Sequence, residues 1–269
     1  FRSATKITRF ISDLDKEYIV RLKFGERTDT YDLTGKIVEK TDYFFINEAD
    51  IHKVLNNFTG RIKQIPPMYS AIKIGGQPLY KLARLGMNIK RPERTIDIYK
   101  LDLLSFNLPY LDLKISCSKG TYIRTLCDDI GNVFGVGAHM VSLARTRIGM
   151  FRIEDSASIE ELKSKKDACH SIDSAISHLH EIILDEDSYY KAQHGIPITV
   201  NNPPLLPFSP VPKAFGLREG GDGEIPDMNQ YVRLKSPENI LFGIGKVEHN
   251  YIKIERLLNR FSQESEITS

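Results

Sequence analysis

The sequence is poor in cysteine and has no long apolar run, and both absences narrow the field. Cys117, Cys127 and Cys169 are the only three cysteines in 269 residues. Their odd number and spacing describe neither a disulfide framework nor a zinc site. A reducing cytoplasm is the expected compartment. No stretch is apolar for long enough to span a bilayer, and no segment reads as a signal peptide. Net charge is almost absent at +2, which argues neither for nor against a nucleic acid partner. Familiar machinery is missing too. Ser118-Lys119-Gly120-Thr121 lacks the glycine-rich lead-in of a phosphate loop, and there is no dinucleotide fingerprint. There is no nucleophile-elbow serine and no metal-binding His-Glu helix, and His178 and His180 point different ways on a helix. The expectation is a reaction without cofactor or metal, or no reaction.

Charge is unevenly placed. Between Arg61 and Lys100 nine Lys/Arg stand against two acids, an excess of seven, with Tyr69, Tyr80 and Tyr99 among them. Basic residues interleaved with aromatics suit a phosphate backbone. A solvated lysine-rich face has the same composition, and composition alone does not separate the two.

The length suffices for two domains. Ile7, Phe10, Ile11 and Leu14 mark a short amphipathic helix, with Ser3 or Thr5 as cap. Tyr18, Val20, Leu22 and Phe24 share one face of a strand over 17–24, and a polar loop follows from Arg27 to Gly35. Asn47 caps a helix with Ile51, Val54, Leu55 and Phe58 in its stripe. Gln64–Ser70 is an extended loop stiffened by Pro66 and Pro67. Pro78 and Gly86 bracket a helix carrying Leu79 and Leu82. Strands over 95–106 and 111–117 turn at Asn107-Leu108-Pro109, and helical patterns run over 158–165 and 171–180. Composition breaks near Glu181. The Pro-rich stretch 201–230 reads as a long surface loop, and short strands follow over 231–235, 240–247 and 251–254. The expected architecture is α+β, with one domain over 1–181 and a small β-rich domain over 182–269.

The densest signal lies at 116–131. Leu111, Leu113, Ile115 and Cys117 alternate with polar residues as in a half-buried strand. Ile123, Leu126, Cys127 and Ile130 form the stripe of a helix that Gly131 can end, and Gly120 lets the chain turn between them. Arg124 lies off that stripe. It suits an anionic partner, carboxylate or phosphate, and Asp128 one helical turn on is the plainest candidate.

Four stretches, in order, resemble the TruB family of tRNA pseudouridine synthases. Ser3-Ala4-Thr5-Lys6 leads into Asp15-Lys16-Glu17-Tyr18, and Gly25-Glu26-Arg27-Thr28-Asp29-Thr30 runs on to Asp32 and Gly35. Gln64-Ile65-Pro66-Pro67-Met68-Tyr69-Ser70-Ala71-Ile72-Lys73 precedes Gly76, Leu79, Tyr80, Ala83, Arg84 and Gly86. Lys119-Gly120-Thr121-Tyr122-Ile123-Arg124-Thr125 precedes Asp128-Asp129-Ile130-Gly131 and Gly137-Ala138-His139. Together they cover most of 3–154.

The resemblance implies a pseudouridine synthase fold, with a mixed, mostly antiparallel sheet flanked by helices. It implies a PUA-like, RNA-binding C-terminal domain into which 201–230 is inserted. The implied activity is isomerisation of uridine-55 in the TΨC loop of tRNA, with the base flipped out, cut from its ribose and rejoined through carbon. Tyr18 matches the tyrosine that stacks on that base and accepts its proton, and Arg124 the arginine that pairs with the catalytic aspartate. Tyr122 and Leu143 match pocket-lining residues, Asp32 a polar residue of the RNA-facing loop, and Lys73 the end of a Ser-Ala-x-Lys motif. The partner implied is tRNA, with no cofactor, no membrane and no obligate protein partner, so the chain is expected to be a monomer. Without the resemblance, Tyr18 and Leu143 read as core, Asp32 as a turn residue and Lys73 as surface charge.

One departure is large. The family's nucleophile lies in a Gly-x-Leu-Asp-Pro motif upstream of the first helix, and that motif is not in this sequence. Asp13, Asp15, Asp29 and Asp32 do not match it. The expectation is therefore a chain lacking its N-terminal part, inactive by itself, with Arg124's partner outside it. The alternative is an RNA-binding or tRNA-folding protein of the same fold without catalysis. A small-molecule enzyme is the third class.

Overall fold

The computed structural model describes residues 4–43, 45–164, 169–199, 231–248 and 250–258. A 3-10 turn over Ala4–Ile7 runs into helix α1 (Thr8–Ser12), with Ile7 and Phe10 buried. The alternating apolar residues of the next segment form β1 (Lys16–Phe24), in which Val20, Leu22 and Phe24 are wholly buried. Gly25, at φ +84°, turns the chain into a hairpin of β2 (Glu26–Thr28) and β3 (Ile37–Lys40). The polar loop expected over 27–35 is thus the hairpin's end, with its first two residues in a strand.

Helix α2 (Glu48–Asn57) is capped as expected, the Asn47 side chain accepting from the Asp50 N–H at 3.0 Å. After it come β4 (Gly60–Gln64), a hairpin of β5 (Lys73–Ile74) and β6 (Gln77–Pro78), and α3 (Leu79–Arg84). The long strands β7 (Arg94–Asn107) and β8 (Tyr110–Cys117) turn where the proline placed the turn. Helix α4 (Ile123–Val133) follows, then β9 (Ala138–Ile148) and β10 (Phe151–Arg152).

These strands make a six-stranded sheet in the order β10-β9-β1-β8-β7-β4, every neighbouring pair antiparallel. Its inner face, including Leu111, Leu113, Ile115 and Cys117 of β8, shares a core with Ile51, Val54 and Leu55 of α2 and Leu126, Cys127 and Ile130 of α4. Gly131 does not end α4. The helix runs on to Val133 because Gly131 lets the 137–138 backbone pass against it, where a Cβ would lie 2.3 Å from the Ala138 nitrogen. The left-handed residue after the helix is Gly135, at φ +69°.

Contacts divide the chain into a unit over Ser12–Glu161 and a second formed by Phe1–Ile11 with Leu162–Ser269. The boundary expected at 181 falls inside β11 (His180–Ile183), a strand of the second unit, and α1 largely joins that unit. Helix α5 (Ile159–Ser164) covers most of the first C-terminal helical pattern, but the pattern over 171–180 yields only α6 (Ile172–Ala175), since His180 already opens β11. The elements that follow are α7 (Glu186–Gln193), β12 (Ile198–Thr199), β13 (Tyr231–Lys235), β14 (Leu241–Glu248) and β15 (Tyr251–Leu257). The second sheet has the order β11-β13-β14-β15-β12, around a core of Leu184, Ala192, Val232, Leu234, Phe242 and Ile252. Lys6 donates to the Leu257 carbonyl at 2.7 Å, so the start of the chain is tied to this sheet's last strand. The Pro-rich stretch read as a surface loop, 201–230, lies outside the described residues.

Candidate active site

Three elements of the first unit bring the site together: the β1–β9 strand pair, the 28–36 loop and the N-terminus of α4. Cross-strand neighbours in a sheet point to the same face. Tyr18 lies opposite Arg145 and Val20 opposite Leu143, so Tyr18, Leu143 and Arg145 share one face. Val20 is sealed in the core, whereas Leu143 is 42 % exposed and free to line a cleft. Burial pushes the Tyr18 phenol up, with the Cys117 thiol adding to the shift and the Arg145 guanidinium opposing it.

The 28–36 loop is built around one carboxylate. Asp32 Oδ1 accepts from the hydroxyls of Thr30 (2.8 Å) and Thr34 (2.6 Å) and from the Thr34 N–H (3.0 Å). Asp32 Oδ2 accepts from Arg124 Nη1 at 2.9 Å. Burial alone would raise this carboxyl, but the bonds from Thr34 and Thr30 and the Arg124 charge outweigh it and hold it low. The backbone is fitted to the task. Tyr31 sits at φ +63°, and Met140 of β9 donates its N–H to the Tyr31 carbonyl at 3.0 Å. A Cβ on Gly35 would strike Thr30 and Asp29.

One expectation about Arg124 is corrected by this geometry: among the described residues it pairs with Asp32 rather than with Asp128. Asp128 is taken by Arg27, in a fork of 2.7 and 3.0 Å that ties the β2 end of the hairpin to α4, with Asn132 donating a further bond at 3.1 Å. Arg27 also lies over the Tyr31 ring at 5.6 Å. It therefore supports both the helix that carries Arg124 and the loop that carries Asp32.

Tyr122 is the residue before the first turn of α4. Its N–H donates to Gln64 Oε1 at 2.8 Å, and its carbonyl accepts from Gln64 Nε2 at 3.1 Å. Gln64 is only 2 % exposed. Lys73 is exposed on the separate β5–β6 hairpin, and among the described residues no side-chain hydrogen bond or ion pair joins it to this cluster. In the sequence Gln64, Arg27 and Thr30 stand only as motif residues without a site role, Thr34 only as a residue of the polar loop, and Arg145 falls in no predicted element. Only the Thr-x-Asp-x-Thr alternation at 30–34 carried a visible signal, that of hydroxyls spaced to fold back on a turn carboxylate.

Next to the Arg27 fork, burial and the Asp128 charge push Asp129 up to about 6, with Arg27 opposing. A carboxyl raised above its unfolded value holds its proton more tightly in the folded chain. Its stabilisation is complete below about pH 4, the unfolded value, and is lost as pH rises through the folded one. Asp129→Asn should therefore stabilise the protein at neutral pH by roughly 1–2 kcal/mol, the gain fading by about pH 4. Urea unfolding of both proteins across that range measures it, and a gain independent of pH would contradict it.

Among the described residues no group of three or more His, Cys, Asp or Glu is placed to hold a metal ion, and no helix is long and apolar enough to cross a membrane. Cys117 and Cys127 are buried free thiols.

Comparison with known proteins identifies the family of the chain. The profile of the TruB family pseudouridylate synthase N-terminal domain matches residues 1–123, and that of the tRNA pseudouridylate synthase B C-terminal domain matches 124–189. A tRNA pseudouridine synthase B of Clostridium tetani is 44 % identical over 197 residues, 72 % of this chain and 68 % of that protein. One from Haemophilus influenzae is 35 % identical over 257 residues, 96 % of this chain and 79 % of the relative. Neither the expected truncation nor the expected inactivity draws support from these matches. Among solved structures, a Cbf5-Nop10-Gar1 complex contains a chain of the same fold, with a TM-score of 0.64 at 20 % identity, over 96 % of this chain and 70 % of that one. The mixed α+β fold with a β-rich C-terminal part is thus shared with that structure, and by its sequence the chain belongs to the TruB family of pseudouridylate synthases.

Proposed function

We propose that this chain isomerises uridine-55 of tRNA to pseudouridine. The observation that carries the reading is the Arg124–Asp32 pair, set at the N-terminus of α4 beside Tyr122, in a member of a pseudouridylate synthase family. The reaction needs an ionised carboxylate against the anomeric carbon and a group to collect the proton from the base's fifth carbon.

Asp32 is not the attacking group. Both its oxygens are engaged, by three donors on one side and a guanidinium on the other, so its work is to fix Arg124. An arginine has five N–H donors, and the Asp32 contact uses one of them. Held in this way, Arg124 presents a preorganised cation to a second carboxylate, the family's nucleophilic aspartate whose motif is not in this sequence, and keeps it ionised and aimed. Tyr18 and Leu143 supply one wall of the base pocket and Tyr122 another. Tyr18 collects the proton. In the free protein burial keeps this phenol protonated, so it releases that proton to solvent water before it accepts the one from the base. Arg145 is the neighbour that favours the phenolate. The exposed Lys73 and the basic segment 61–100 hold the tRNA backbone, and the β-rich C-terminal part adds a PUA-like RNA contact. No cofactor enters the scheme.

The test is a TΨC stem-loop incubated with the full-length protein, then digested and analysed for nucleosides, with affinity followed against salt. Pseudouridine should form, and log affinity should fall linearly with log salt at roughly one unit of slope per phosphate contact. Salt-dependent binding without pseudouridine would favour a tRNA-binding protein without catalysis. Absence of salt-dependent binding would favour a small-molecule enzyme.

A further inference from the structure

Gln64 is the last residue of β4, and Arg94, its register partner, is the first of β7. The chain leaves the sheet after Gln64 and re-enters at Arg94, so this pair is the neck of the whole 65–93 excursion. That excursion contains Tyr69, the Lys73 hairpin and α3, with Tyr80 and Arg84 in contact at 5.6 Å. β4 is an edge strand with β7 as its one neighbour in the sheet. Beyond that ladder and the packing of Ile62 on the core, the strand's end is anchored by the Gln64 side chain, which reaches the backbone of Tyr122.

The geometry of that reach is selective. Tyr122 offers one N–H and one C=O, and the Gln64 amide answers both, as a neighbouring strand would. A primary amide has a donor and an acceptor so placed; an ionised carboxylate lacks the donor and an apolar chain lacks both. Tyr122 is the N-terminal flank of α4, and Arg124 lies in that helix's first turn. One buried amide thus joins the neck of the excursion to the backbone that aims Arg124.

We propose that Gln64 is a positioning residue that couples seating of RNA on the 65–93 excursion to the placement of Tyr122 and Arg124. The inference rests on the isomerase reading above. A phosphate backbone bound by the excursion loads the neck, and Gln64 passes that load to α4. Turnover then depends on this amide while most of the RNA contact does not.

Gln64→Met keeps the bulk and removes both bonds. In the full-length protein its turnover at saturating stem-loop should fall on the order of 10²-fold, the cost of a small misplacement of a reacting group. Affinity for the stem-loop should be unchanged. Gln64→Glu lacks the donor when ionised and regains it when protonated, so its turnover relative to the native protein should climb as pH falls, a signature that loss of folding does not give. A folded Q64M with native turnover, or with turnover and affinity lost in equal proportion, overturns the proposal. If Q64M does not fold, hydrogen exchange on the native protein decides. The Tyr122 amide should exchange more slowly with stem-loop bound, and unchanged exchange overturns the coupling. A native protein that forms no pseudouridine refutes the isomerase reading instead, and the exchange measurement still judges the coupling.

Discussion

Replacing Arg124 with methionine should lower turnover on the order of 10²–10³-fold, the usual cost of removing one preorganised charged donor from an active site. Affinity for tRNA should hardly change. Most RNA affinity comes from many phosphate contacts, whereas Arg124 is partly buried and faces a carboxylate. Lysine should not rescue the variant, because a compact ammonium cannot hold Asp32 and a second carboxylate with separate N–H groups of one planar fork. Single-turnover kinetics at saturating tRNA, beside filter binding, separate the two effects. An R124M protein with native turnover would remove Arg124 from the chemistry, and one with parallel loss of binding would make it an RNA contact.

Arg27→Met should be the most damaging change to stability in the site's support. It leaves Asp128, 2 % exposed, with Asn132 in place of a charged fork and with Asp129 beside it. Removing one partner of such a pair costs about 3 kcal/mol, because the remaining charge is buried without compensation. The loop that carries Asp32 loses the same anchor, so turnover should fall as well. Asp128→Asn added to R27M removes the stranded charge and should recover part of the loss, a coupling that a double-mutant cycle in urea measures. A loss under about 1 kcal/mol would show the fork to be no stronger than a surface ion pair.

What could be read from the sequence was whatever local chemistry determines. Asn47 before a run of helix formers, Pro78 and Gly86 around α3, and the alternation in β1 and β8 each act within a few residues, and each produced its element where expected. Arg124 is visible in the sequence because it breaks the apolar stripe of its own helix. Its partner is not, because Asp32 and Arg124 are 92 positions apart and meet only through the packing of β9, the hairpin and α4. The same holds for Gln64 and Tyr122, 58 apart, and for Arg27 and Asp128, 101 apart. Asp128 seemed the natural partner of Arg124 because i,i+4 spacing favours it, but a bidentate partner from another strand outcompeted that local pairing. Gly131 misled for a related reason. A glycine after an apolar stripe reads as a helix end, and only the close passage of the 137–138 backbone reveals it as a place where two segments touch.

An enzyme built on the Arg124–Asp32 pair to isomerise uridine must break the bond from hydrogen to the fifth carbon of a tRNA uridine at every turnover. Transcribed tRNA carrying tritium at that carbon of uridine, incubated with the full-length protein, tests it most directly. One equivalent of tritium should be released to water per tRNA, with none from a transcript bearing cytidine at position 55. Tight, salt-dependent tRNA binding with no tritium released would contradict that reaction.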